Sequence, residues 1–208
     1  HPILISDGPL HDEQRRKVGR FFAPDVVSQQ YLSAMEECAD RLLAEAAASG
    51  RVQLDELALH YAVEVTAGVV GLTHAPVPAM SRRLVRFFNQ PPLDRSRPDL
   101  GRTPRQWAQA AWNGLVPIIA FYAADVRPAI RARRKQAAGD VISHLIEQGY
   151  SQADILVECV TYGTAGMVTT REFIAMAGWH LLTNPALAQR YQLADTQERL
   201  AILHELIR

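Results

Sequence analysis

His11 and Arg15 are the first residues whose types and spacing could do chemistry. Four apart on a helix, they share one face. Two cationic groups side by side repel unless an anion sits between them. A carboxylate pair or a phosphate would satisfy both through charge-assisted hydrogen bonds. The plainer reading is a solvated basic helix. A second group is the run Gly163-Thr164-Ala165-Gly166-Met167-Val168-Thr169-Thr170. Two mid-helix glycines cost roughly 1 kcal/mol each relative to Ala, so something must compensate. The small residues Ala165 and Gly166 let a flat ligand or another backbone come close. Thr169 can turn its hydroxyl back to the Ala165 carbonyl and loosen the helix there. A widened turn beside a small-residue platform suits a cofactor and a polar small molecule; close helix–helix packing would explain the glycines equally well. The third group, Glu205 and Arg208, is an i,i+3 pair worth only a few tenths of a kcal/mol.

The elements that position these groups read as helices. Asp7-Gly8-Pro9 is a turn, and His11–Phe22 a short, very basic helix. Pro24 suits a new helix start, and the periodicity predicts a helix from Val26 to Ala48 with Tyr31, Leu32, Met35, Cys38, Ala39, Leu42 and Leu43 on one stripe. Arg51-Val52-Gln53-Leu54 alternates polar and apolar and could be a short strand. Asp55 can cap a buried helix over Glu56–Leu72. Met80–Asn89 is basic and amphipathic. Pro91–Pro104 is a long loop rich in Pro, Arg, Asp and Gly, of the length that is usually functional or mobile. A long helix follows from Arg105, kinked at Pro117 and Pro128 and ending in the basic run Arg131–Lys135. Asp140–Glu147 is a short helix. Ser151 to Asp154 fits a capping box before a long helix to Thr183. Asn184-Pro185 starts another, and Thr196 caps the last. The fold class is therefore all-α, with at most a very short β segment.

Composition narrows the function. The 208 residues hold 48% hydrophobic residues, enough for a sizeable core, and 22 basic residues balance 22 acidic ones. That balance argues against a nucleic-acid-binding surface. No apolar run reaches the ~18 residues of a membrane span. Cys38 and Cys159 sit in apolar-periodic segments and read as reduced core thiols of a cytoplasmic protein. The chain opens on His1-Pro2-Ile3-Leu4, without Met or a basic leader, which predicts a natural N-terminus further upstream.

The order of the three groups is more specific than any one of them. Gly-Pro-x-His-x-x-x-Arg-Arg followed by Phe-x-Pro resembles the C-helix entry of a bacterial, soluble cytochrome P450. Ala-Gly-x-x-Thr-Thr resembles the oxygen-binding groove of its I helix. Thr183-Asn184-Pro185 is similar to the turn that follows, and Glu205-x-x-Arg208 to the K-helix signature. The resemblance covers residues 1–208, helices C to K, as a single truncated domain lacking the N-terminal β region and the haem-binding cysteine loop.

The resemblance implies roles. His11 and Arg15 would hold a haem propionate, Ala165 and Gly166 would lie over the distal haem face, and Thr169 would hydrogen-bond the haem-bound oxygen and help deliver protons. Met80 to Gly101 would roof the pocket, and Glu205 and Arg208 would be structural. The family usually has an acid immediately before the threonine; here it is Val168, and Glu172, one turn on, would substitute for it, a surface glutamate being the plainer reading. The parent would insert one oxygen atom from O2 into a small organic substrate, with electrons from a ferredoxin-type redox partner. This stretch alone would be inactive and could self-associate, because the axial thiolate comes from the absent loop and neither cysteine replaces it. A haem-free P450-like partner or activator protein is the alternative. An all-α ligand-binding regulator fits less well, since no second helix completes a helix-turn-helix.

Overall fold

A computed structural model describes residues 2–97 and 100–208, apart from the Ile5 side chain. Among these the chain is helical without a strand. Arg51–Gln53, expected as the start of a short strand, is coil, and Leu54 already opens a helix. A single extended stretch with no neighbour to share its backbone groups cannot make a ladder.

The first helix, α1 (Gly8–Gly19), begins three residues before the expected start, with Pro9 in its first turn, and tightens into a 3-10 turn at Arg20–Phe22. Proline is tolerated there because the first turn leaves its N–H groups unpaired anyway. The short helix α2 (Pro24–Val26), a π turn at Val27–Tyr31 and α3 (Leu32–Ser49) follow. Of the expected apolar stripe, Cys38 and Leu42 are buried, whereas Leu32 and Leu43 face solvent.

Helix α4 (Leu54–Val70) is the central element, burying Ala58, Leu59, Ala62, Val63, Ala67, Val69 and Val70. Its N-cap is Gln53 rather than Asp55, with no side-chain bond. It ends at Gly71, whose φ of +99° disfavours any side chain and whose Cβ position runs into the Asp140 carboxylate. Helix α5 (Val77–Phe88) precedes the loop to α6 (Pro104–Phe121), which a Thr103–Gln106 capping box starts. Pro117 stays inside α6; a π turn at Tyr122–Val126 then leads into α7 (Arg127–Lys135), with Pro128 in its first turn.

Asp140 caps α8 (Val141–Glu147), accepting from the Ser143 N–H at 2.9 Å. The Ser151–Asp154 capping box opens α9 (Gln152–Tyr162) as the spacing predicts. A π turn at Gly163–Val168 and α10 (Thr169–Thr183) prolong it into one rod. Asn184 caps α11 (Pro185–Leu193), and α12 (Thr196–Leu206) is capped by Asp195, not Thr196: the Asp195 carboxylate accepts from the Glu198 N–H at 2.8 Å.

Glycines set how this rod packs. A Cβ on Gly166 would meet the Thr66 side chain at 2.9 Å, and one on Gly178 would meet Leu54 at 2.6 Å. From 54 to 66 and from 166 to 178 the contacts move in opposite directions, so α4 and the rod run antiparallel, with backbones close. Val63, Val70, Met80, Ile142, Ile155 and Met167 fill the core around that contact. The Arg83 guanidinium reaches Asp125 through two bonds of 2.7 and 2.6 Å, tying α5 to the π turn after α6.

Candidate functional site

Within the small-residue run, Gly163–Val168 forms a π turn, and Thr169 and Thr170 open α10. Thr169 donates its hydroxyl proton to the Ala165 carbonyl at 2.5 Å, and Thr164 does the same to Val160 at 2.7 Å. Each hydroxyl competes with the backbone N–H for that carbonyl, which widens the turn. Ala165, Thr169 and Glu172 face solvent along one side of the rod, with Trp179 further on. Gly166 faces α4, and contact with Thr66 accounts for it by packing alone. Ala165, Gly166 and Thr170 nevertheless edge a cavity of about 550 Å3, together with Phe22, Tyr61 and Tyr162. A second cavity of about 490 Å3 holds Thr169, Thr170, Glu172, Phe173, Met176 and Ile207. Thr170 borders both, so small residues and hydroxyls lie between two open spaces.

His11 and Arg15 share a face of α1 as expected. His11 is half-buried, with Asp12 at 3.4 Å, and Arg15 is exposed without an ion pair among the described residues. No hydrogen bond joins either of them to the π turn among those residues. The arginine is thus free to meet an anion.

Glu172 is exposed and lies 3.5 Å from Arg171, which also reaches Asp55 of α4 at 3.6 Å. It shares the Thr169 cavity, so the proposed substitute acid is beside the hydroxyl it would serve. Glu205 and Arg208 pair at 3.4 Å, both exposed, with Arg208 just past the end of α12.

The two thiols do not resemble metal ligands. Cys159 is fully buried, and desolvation pushes its thiol well above the ordinary range. Cys38 is buried on α3 and raised for the same reason, with Glu64 adding to the effect. A thiolate needs the opposite surroundings.

Sequence reasoning missed the buried carboxyl of Glu158 and the Arg83–Asp125 pair. Glu158 left a signal, since it falls among Ile155, Cys159 and Tyr162 on an otherwise apolar face; the ion pair, 42 residues apart, left none.

No family model and no curated protein sequence matches the chain. Solved structures do. CalO2 is 24% identical with a TM-score of 0.76, over 99% of this chain and 50% of its own. The myxobacterial cytochrome P450 CYP267B1, solved with myristic acid, is 25% identical with a TM-score of 0.74, over 98% of this chain and 48% of its own. P450BioI, solved with an acyl carrier protein ligated to hexadec-9Z-enoic acid, is 17% identical with a TM-score of 0.69, over 91% and 46%. This chain therefore spans about half the length of the structures it matches. No helix among the described residues is long and apolar enough to cross a membrane. Over its length the chain has the helical cytochrome P450 fold.

Proposed function

We propose that the chain forms the distal side of a haem-thiolate monooxygenase site and that the whole protein inserts one oxygen atom from O2 into a small organic substrate. The observation that carries this reading is the Thr169–Ala165 bond at the end of the π turn, on a rod whose exposed side carries Ala165, Thr169 and Glu172. When bound, the haem would supply oxygen activation, with electrons from a redox partner of ferredoxin type. Ala165 leaves room for a flat group, and Thr169, its proton already given to Ala165, presents oxygen lone pairs outward. Arg15, exposed and without an ion pair among the described residues, with His11 one turn before it, suits a propionate. Glu172 would hold a proton source near Thr169 where Val168 cannot.

The donor set fits this role on the distal side only. Cys38 and Cys159 are buried thiols held in their protonated form, so the axial thiolate would come from a segment outside these 208 residues, the chain being one truncated domain of a longer protein. α5 and the following loop, Met80 to Gly101, would roof the substrate; Pro98 and Asp99 lie outside the described residues. CYP267B1 with myristic acid and P450BioI with its acyl carrier protein support an apolar organic substrate.

Hemin titration of this chain, followed by reduction under carbon monoxide, tests the reading. Hemin is expected to bind without the red-shifted band of a thiolate complex, and more weakly in His11→Ala/Arg15→Ala. A thiolate-type band that Cys38→Ser or Cys159→Ser abolishes would overturn the assignment of the thiolate. Absence of any specific binding would favour a haem-free partner protein. In the full-length enzyme, Glu172→Ala that left coupled product formation unchanged would remove Glu172 from the site.

A further inference from the structure

Glu158 is a buried carboxyl that the proposed chemistry does not use. It lies on α9, eleven residues and roughly 16 Å of helix rise before Thr169, and is 1% exposed. Its Oε1 accepts the Ile3 backbone N–H at 2.5 Å. Its Oε2 and the Tyr162 hydroxyl one turn on are both buried and act on each other, without a hydrogen bond of good geometry among the described residues. Burying a carboxyl among apolar side chains is costly, so packing alone gives no reason for a glutamate here. Ile3 belongs to the 3-10 turn Ile3–Ile5, which packs against both α9 and α1. Five residues after Ile3 the chain enters α1, whose first turns carry His11 and Arg15.

We propose that Glu158 is a positioning residue: it fixes the segment from Ile3 to Asp7, and with it the His11–Arg15 face of α1, on the helix that carries Thr169. The consequence for the anion site rests on the haem reading above; the tie itself does not. Burial favours the neutral carboxyl, and Asp154 acts in the same direction. The Ile3 N–H and Tyr162 oppose it, and the net direction is upward from the ordinary carboxyl value. Burial raises the Tyr150 and Tyr162 hydroxyls and Glu158 adds to the effect, while Gln14 and Lys17 of α1 lower Tyr150. The Ile3 N–H itself favours the ionised carboxyl, so the tie holds at least as firmly once Glu158 has lost its proton.

Hydrogen exchange at the amides of residues 3–7 in this chain tests the proposal, at about pH 6 and about pH 9, corrected for intrinsic rates. Wild-type protection is expected to persist at the higher pH. Glu158→Gln keeps a neutral acceptor for the Ile3 N–H and should stay protected at both. Glu158→Ala should exchange roughly tenfold faster at both, with Ile155–Tyr162 still protected. Unchanged protection in Glu158→Ala, or a Gln variant as loose as Ala at the lower pH, overturns the tie. Should the Ala variant fail to fold, the Gln variant decides alone. Hemin affinity separates the two readings: several-fold weaker binding in Glu158→Ala supports both, whereas faster exchange with unchanged hemin affinity keeps the tie and ends the propionate role of α1.

Discussion

Thr169 and Ala165 are joined by a hydrogen bond in which the hydroxyl donates to the carbonyl four residues earlier, at 2.5 Å. With its proton committed, the Thr169 oxygen can act outward only as an acceptor unless the bond is broken. Thr169→Val keeps the shape and removes the oxygen. Because the residue is exposed, folding stability should change by no more than about 0.5 kcal/mol, measured by urea denaturation of this chain. In the full-length enzyme the rate of product formation should fall by about 100-fold, the lower end of what a positioned proton-transfer group contributes. Thr169→Ser should retain most of it. Full activity in Thr169→Val would mean that shape, and not the hydroxyl, matters.

Gly166→Ala sets helix propensity against packing. The new methyl gains about 1 kcal/mol of propensity in a helix interior, but its position is 2.9 Å from both the Cγ2 and the Oγ1 of Thr66. Overpacking of that kind costs about 1–3 kcal/mol. The variant should be less stable than wild type, and adding Thr66→Ala should recover most of the loss. A double-mutant cycle by urea denaturation measures the coupling.

Arg83 and Asp125 form a two-bond ion pair in which the Asp125 side chain is fully buried. Burial raises the Asp125 carboxyl and Arg83 opposes that shift. The paired geometry argues that the carboxylate remains ionised while the arginine is there. Arg83→Ala removes the partner and strands a buried charge, which should cost about 3–5 kcal/mol. Replacing both residues by Leu should cost much less. Urea midpoints of the single and double variants give the comparison, and a single variant as stable as wild type would show that the pair contributes little.

The parts of this fold that were legible in the sequence are those specified within a turn or two of chain. Ser151 with Asp154 announced α9, Asn184-Pro185 announced α11, and the Thr169 back-bond to Ala165 followed from a hydroxyl four residues after a carbonyl. Helix ends set by weaker local signals were missed by one to three residues: Leu54 began α4 where an N-cap at Asp55 looked adequate, and Asp195 capped α12 instead of its neighbour Thr196. Contacts between distant segments were not legible. Nothing near Gly166 says that Thr66 will lie against it, so packing and ligand access remained equal explanations of the same glycine. The candidate site divides in the same way, with its residue types visible and the arrangement of α1 against the rod set by buried groups such as Glu158.

Arg20 and His144 carry a dependence on acid. The Arg20 Nη2 lies 3.0 Å from the His144 Nδ1. A guanidinium can only donate, so Nδ1 accepts and any proton on the neutral ring sits on Nε2. Burial lowers the His144 pKa from its ordinary 6.5, Arg20 and Lys17 lower it further, and Glu147 partly opposes them. The folded state therefore binds the proton less readily than the unfolded chain does. The stabilisation is complete above the unfolded value and is lost as pH falls through 6.5 towards the lowered folded value. Below that value the ring and Arg20 are both cationic, and the bond between the 3-10 turn after α1 and helix α8 gives way to repulsion. His144→Gln retains an acceptor that cannot titrate. Urea midpoints followed from about pH 7.5 to about pH 5 should fall more steeply for wild type than for the Gln variant, the difference isolating His144 from the carboxylates that titrate in both. Parallel curves would mean that His144 keeps the same protonation state folded and unfolded, and that the Arg20 contact does not depend on it.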